Sequence, residues 1–401
     1  MSYNFVLNSS NNVSIYNNQY KFNFINGQFD IPEGSEMCIN TLVMPYSFYN
    51  ITSFLGNNTF YWTYPVSTAT ISNITATSST TASITLSSGS LFVGSIITCS
   101  SNPTSTSPTG LIYITALSGT GTGTSAQNYT ISQSATYASA TGTSTGIVRT
   151  ITLKDGFYQL SDIQNSLWND MKTAGVYFYN NNPNQSTSNS VGSSNTNFIF
   201  PISLSVTPSY YTNSLTFQYI ATSSANVTTQ LGQNWTYAGA SYPASASTCQ
   251  LIIPSGVTNT TSNNIGNIIG FLSGAFPSTV QTYSGTPTIS NSSPYTVLGN
   301  SLTAYNPPFP PQGSFVNAIV IRCNLVDNPI SSVNDILDTT TINTTFGSNI
   351  VYQPVSDNWV KIKKGTYSSL TISFSDQNFN TLYMNDPNIL LSLLIRFPKK
   401  I

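Results

Sequence analysis

Three groups of residues have the types and spacing that chemistry would need. They are the carboxylates Asp30, Glu33 and Glu36, the acid pair Asp376 and Asp386, and the lysines Lys361, Lys363 and Lys364. The first group could do acid–base work, the second could cleave a glycoside, and the third could hold a phosphate. Each also has a plainer explanation. The first surrounds a Pro-Glu-Gly-Ser turn and reads as a solvated hairpin end, while the two aspartates sit in SDQN and NDPN, which are Asx-type turns between strands. Lys361 and Lys363 alternate along a strand, opposite Val360 and Ile362, so they read as a solvated edge or a contact surface. There is no histidine in the chain, which removes Ser–His and Cys–His nucleophiles. Four scattered cysteines, Cys38, Cys99, Cys249 and Cys323, contain no C-x-x-C pair, so neither a zinc site nor any other cofactor is expected. The G-x-G-x-G within LSGTGTGTSAQNYTISQSAT has no lysine and no following helix, and is read as a glycine-rich hairpin loop rather than a nucleotide site. An enzyme is not expected.

Charge is sparse, at 6% of 401 residues with a net charge of −1. No charged side chain lies between Glu36 and Arg149, or between Lys172 and Arg322. Clustered Lys and Arg are needed to displace counterions from nucleic acid, so direct nucleic-acid binding is not expected. A surface solvated by hydroxyls and amides gives little repulsion between copies, which permits close packing into an assembly. The N-terminal MSYNFVLNSS has neither the basic nor the apolar region of a signal peptide, and residues 389–395 are too short an apolar run to span a bilayer. The expectation is a soluble chain made in the cytosol with reduced thiols, its N-x-S/T triplets being compositional.

The elements that must position these residues are mostly strands. YKFNFINGQFDI, MCINTLVM, FPISLSV, SLTFQYI, CQLII, VNAIVIRCNLV, SNIVYQPV, SSLTISFSD and ILLSLLIRF alternate or run apolar between turn signals. One helix is predicted from Ser161 as N-cap, with Gln164 completing a capping box and Gly175 past the end. Ile163, Leu167, Trp168 and Met171 form its apolar face. NIIGFLSGAF reads as a helical turn or a buried strand, and residues 332–337 as one helical turn. NNNPNQSTSNSVGSSNTN is read as a polar loop and YNPPFPPQG as an extended spacer. Composition turns Ser/Thr/Gly-rich over residues 66–150, between a strand at 60–64 and another at 151–153, as if a small β domain were inserted into a hairpin. The predicted class is all-β: a jelly-roll sandwich over residues 1–65 and 151–401, with one short helix and an inserted, outward-facing β domain over 66–150.

The lysine-rich segment VKIKKGTYSSLTI has a near copy in ITLKDGFYQLSDI. Both carry Lys-x-Gly-x-Tyr and end on isoleucine at one offset. The pair reads as a structural corner used twice, with Gly156 and Gly365 allowing the turn and Tyr158 and Tyr367 packing with their hydroxyls at a polar edge. Lys361, Lys363 and Lys364 are then candidate subunit contacts.

Several motifs carry a family resemblance. FDIPEGSEMCINTLVMPYSFYNI followed by NNTFYW resembles the opening of capsid vertex and minor capsid proteins of large double-stranded DNA viruses of protists, virophages and their polinton-like relatives. ITLKDGFYQLSDIQNSLWNDM is similar to that family's strand–Gly-x-Tyr–helix element, and NIIGF to its mid-chain motif. AIVIRCNLVDNP, GSNIVYQPV and KKGTYSSLTISFSDQNFNTLYMNDPNILLSLLIRF resemble its closing strands. The resemblance covers residues 1–65 and 151–401, more loosely at 180–260. It implies a virion protein assembled in the host cell: a penton whose homopentamer closes an icosahedral shell, meeting the major capsid protein and other minor capsid proteins. Residues 66–150 resemble small β modules of viral tail and spike proteins, which implies an outward module able to meet a host surface receptor. Two readings stand beside it: a minor capsid protein cementing the major capsomers from inside, and a glycan-binding adhesin. A double jelly-roll major capsid protein fits less well, because the first Gly-x-Tyr copy feeds a helix and the second a strand.

Overall fold

The computed structural model describes residues 2–100, 111–122, 124–180, 198–207, 212–217, 235–237, 246–247, 249–254, 265–276, 282–283, 303–305, 316–329, 331 and 333–398. The chain divides into two compact units, one made of Met1–Asn50 with Ser314–Ile401 and the other of Ile51–Gly313. The first unit opens with β1 (Ser2–Asn8), β2 (Gln19–Asn23), β3 (Phe29–Ile31) and β4 (Glu36–Pro45). The second unit begins with β5 (Thr59–Ser88), β6 (Thr98–Cys99), β7 (Ile114–Leu117), β8 (Gln127–Thr152) and helix α1 (Leu160–Thr173). It continues with β9 (Phe178–Asn180), β10 (Phe198–Ile199), β11 (Ile202–Thr207), β12 (Thr212–Phe217), β13 (Trp235–Tyr237) and β14 (Ala246–Ser247). Then come β15 (Gln250–Ile253), α2 (Ile265–Ile269), β16 (Gly274–Phe276), β17 (Thr282–Tyr283) and β18 (Thr303–Tyr305). The chain returns to the first unit with β19 (Ala318–Cys323), β20 (Ile336–Thr341) and β21 (Asn349–Tyr352). It closes with β22 (Val360–Lys361), β23 (Gly365–Tyr367), β24 (Ser369–Asp376) and β25 (Leu390–Arg396).

In the first unit one sheet runs β1-β25-β4-β21 and the other β2-β24-β19-β20. Counting these strands in chain order, the sheets read 1-8-3-6 and 2-7-4-5. Strand 1 therefore pairs with 8, 2 with 7, 3 with 6 and 4 with 5, all antiparallel. This is one long hairpin ribbon rolled onto itself, the jelly roll, and the class is all-β as the strand patterns predict. Alternation supplies the core: Leu7, Leu391 and Leu42 are in register across three strands and each is 0% exposed. Phe5 of β1 meets Phe22 of β2 edge-to-face at 5.8 Å, joining the two sheets.

The second unit lies in the connection between the ribbon's third and fourth strands. It is built on the β5–β8 hairpin, with β15 pairing on the outer side of β5 at Trp62. The composition shift at Pro65 falls inside this second compact unit, which runs from Ile51 to Gly313 and contains the whole of residues 66–150. β5 and β8 continue through positions 65 and 150. Pro65, opposite Gly146, has no N–H to give the ladder, and the register shifts between it and Ala69. What the shift marks is a separate core within the same unit, where Ala69, Ile71, Ile84, Ile114, Tyr129, Ile131 and Tyr137 pack together.

Helix α1 buries Ile163, Leu167, Trp168 and Met171, the predicted face. Its N-cap is Gln159 rather than Ser161, because Asp162 at N3 accepts from the Gln159 N–H at 2.9 Å and so starts the helix earlier. At the other end, Gly175 has φ 72°, its N–H reaching Lys172 O and the Val176 N–H reaching Met171 O, a Schellman close. NIIGFLSGAF divides between α2 and β16. Residues 336 and 337 belong to strand β20 instead of a helical turn, since Ile336 and Asp338 pair with β19 on either side of a register shift at Leu337. The long strand predicted at 19–30 is broken into β2 and β3 by a turn in which the N–H of Gly27 (φ 75°) reaches Phe24 O. The polar loop at 181–197 and the proline-rich segment at 306–313 lie outside the described residues.

Candidate assembly interface

The second lysine-rich copy sits where the ribbon crosses between sheets. Val360 and Lys361 pair with Met37 and Glu36 of the first sheet, whereas Ser369 begins the strand that enters the second. Between them β23 pairs with β3, and Gly365 takes φ 152°, a conformation that disfavours any side chain. A Cβ at Gly365 would lie 3.2 Å from the Tyr367 ring. The Tyr367 hydroxyl donates to Lys364 O at 3.4 Å. The first copy belongs to the other unit. Gly156 forms an isolated antiparallel bridge with Ile51, and a Cβ there would lie 3.0 Å from the Tyr158 ring. The two copies thus share one local device, a tyrosine ring laid over the glycine two residues before it. They differ in backbone, since only Gly365 has a positive φ.

The lysines fan outward from this corner. Ile362 is buried, while Lys361, Lys363 and Lys364 are exposed. Lys363 Nζ donates to Asn324 O at 3.3 Å, and Lys364 pairs with Glu33 at 3.3 Å with side-chain exposures of 68% and 83%. Such an exposed pair adds little to stability. The acidic cluster is dispersed: Asp30 accepts from the Thr366 hydroxyl, Glu33 faces Lys364, and Glu36 accepts from Arg396 Nε at 2.6 Å. Asp376 accepts the N–H groups of Asn378 and Asn380, both at 2.8 Å, and Asp386 accepts that of Asn388 at 2.9 Å. Both are turn carboxylates. All four cysteines are buried thiols. Burial pushes Cys38 up to about 11 and Cys323 up to about 12, which keeps both protonated near neutrality.

A feature not singled out in the sequence lies on the outer face of the first sheet. Leu390, Val43 and Val351 are in register across three strands. They alternate with the buried row behind them, and Leu390 is 47% and Val351 57% exposed, with Val6 at 48% nearby on β1. The signal was present in the alternation, but only the register places these residues side by side. In the second unit Arg149 and Asp170 form an ion pair that pins helix α1 to the β5–β8 hairpin. Asp170 of α1 accepts from Arg149 Nε at 2.8 Å, from Arg149 Nη2 at 2.6 Å and from Trp62 Nε1 at 2.7 Å. The hydrogen bonds to Asp170 hold the Arg149 guanidinium above its usual value.

No family model matches the chain, and no curated protein is similar to it in sequence. Among solved structures, the chain is similar to the selenomethionine-labelled mavirus penton protein, at 8% identity and a TM-score of 0.35, with 98% of each chain covered.

Proposed function

We propose that this chain is a structural protein of an icosahedral virion, and within the virion the penton: a homopentamer at the vertices that contacts the major capsid protein. The observation that carries the reading is the ribbon order 1-8-3-6 over 2-7-4-5, with a whole second unit spliced between its third and fourth strands. The motif order along the sequence, the near-absence of charge and the exposed apolar row on the first sheet support it. In this reading the jelly roll makes the ring, and residues 66–150, with their own core, project outward. Cryo-electron microscopy of purified particles tests it directly. Density for the chain at the five-fold vertices is expected; density beneath the major capsomers would replace the penton with the minor capsid reading.

The corner lysines are proposed as subunit contacts. Lys363→Glu with Lys364→Glu breaks only exposed interactions, so thermal unfolding should stay within about 1 kcal/mol of the parent. Association of copies should weaken by roughly tenfold or more, read by analytical ultracentrifugation against salt. Assembly unchanged by the double reversal would remove the lysines from the interface.

A further inference from the structure

The first unit holds a cleft of about 570 Å³ whose lining includes Glu36, Asp327, Asp338, Asn358, Trp359 and Lys361. These residues come from the start of β4, the loop after β19, strand β20 and the approach to β22. A guanidinium sets the orientation of the Trp359 indole: Arg396 lies 4.2 Å from the ring centroid while also pairing with Glu36. Asp338 is fixed by the Tyr352 hydroxyl at 2.9 Å and the Thr339 N–H at 2.8 Å. Two of the three carboxylates are therefore held rigid and partly compensated. Among the described residues, the Asp327 carboxylate, the Lys361 ammonium and the Trp359 Nε1–H have no hydrogen-bond or ion-pair partner. The Asp327 backbone is nevertheless anchored by its N–H to Lys361 O at 2.9 Å.

This combination narrows the ligand. The described residues contain no group of three His, Cys, Asp or Glu side chains placed to hold a metal ion. With Glu36 paired to Arg396, Asp327 and Asp338 stand against the single uncommitted Lys361, a small net negative charge that disfavours phosphates and other anions. The lining is too polar for a purely hydrophobic ligand. It offers acceptors at Asp327 and Asp338, donors at Lys361 and Trp359, and an indole held in place. A sugar ring has hydroxyls that each donate and accept, and a C–H face that lies against an aromatic ring. We infer that the cleft is a binding site for a neutral saccharide, with Trp359 as the platform and Asp327 as the principal hydroxyl acceptor. A basic peptide segment is the less favoured occupant, because Arg396 already neutralises Glu36 and Lys361 places a second positive charge in the lining.

The test uses the full chain on an array of neutral oligosaccharides built from glucose, galactose, mannose and N-acetylglucosamine, with a lysine/arginine-rich peptide alongside. At least one glycan should bind. Its affinity by titration calorimetry should fall roughly tenfold or more in both Asp327→Asn and Trp359→Ala, the loss expected for a charge-assisted hydrogen bond or a stacked ring. Asp327→Asn touches only an exposed side chain, so its unfolding temperature should match the parent's and its result stands even if Trp359→Ala loosens the fold. Binding of no glycan, binding of the peptide alone, or glycan affinity unchanged by Asp327→Asn would each overturn the inference. In the last case the saccharide would be held elsewhere on the chain. None of these outcomes bears on where the chain sits in a particle.

Discussion

Replacing Asp170 with alanine is expected to release helix α1 from the β5–β8 hairpin, at a cost of about 2–4 kcal/mol to the second unit. Three donors converge on this carboxylate, two from Arg149 and one from Trp62. Trp62 is 0% exposed, so its indole N–H has no water to turn to once the acceptor is gone. Arg149 and Asp170 are 31% and 20% exposed, which places the expected loss below that of a fully buried pair. Asp170→Asn keeps the volume and one acceptor oxygen for Trp62, and should cost about half as much. A chain of two units need not unfold in one step, so hydrogen exchange is the better measure. Amides of α1 should exchange roughly thirty- to several-hundred-fold faster in the alanine variant, while those of β4 and β25 keep their rates. Unchanged α1 protection would mean that the apolar face of Ile163, Leu167, Trp168 and Met171 holds the helix without the pin.

The elements that sequence periodicity resolves are those whose burial is local. The alternation in residues 36–45 and 390–396 marks both strands, and the spacing of Ile163, Leu167, Trp168 and Met171 marks the helix and its inward face. Pairing is another matter. That Leu390 stands beside Val43, and Val43 beside Val351, is set by a register between segments some three hundred residues apart, which no local pattern encodes. The limits of the compact second unit are not marked in the sequence for a related reason. Composition changes at Pro65, where the ladder only shifts register, and does not change at 50/51, where the unit begins. The repeated Gly-x-Tyr motif was legible as a pair, and the tyrosine-over-glycine packing accounts for the shared spacing. Its two backbones differ because one leaves a strand for a helix and the other crosses between sheets. Of the cleft's lining, Glu36 and Lys361 stand out in the sequence, but in separate groups that nothing local brings together. Glu36, Asp327, Asp338 and Trp359 meet only because the ribbon rolls up.

Gly94→Ala is expected to loosen the β module within the second unit by about 2–5 kcal/mol, from two separable causes. The first is conformational: Gly94 has φ 92°, where an L side chain costs about 1–2 kcal/mol. The second is steric. A Cβ at this position would lie 2.3 Å from Val148 O and 2.8 Å from Ile147 Cγ2, closer than real Cβ atoms approach. The contact cannot be relieved cheaply, because Gly94 is tied on both sides: its N–H donates to Ile114 O at 2.7 Å and its carbonyl accepts from the Val148 N–H at 2.8 Å. Moving the loop away from β8 therefore breaks the hydrogen bonds that hold it there. Gly56→Ala separates the two causes, since Gly56 has φ 67° and no atom lies within 4 Å of where its Cβ would stand. Gly56→Ala should show only the conformational cost, whereas Gly94→Ala should also raise exchange at Ile114 and Val148 and open the module to protease ahead of the rest of the chain. Equal effects from the two substitutions would mean that the backbone around Gly94 yields to a methyl, and that the module's seat on β8 is softer than its hydrogen bonds imply.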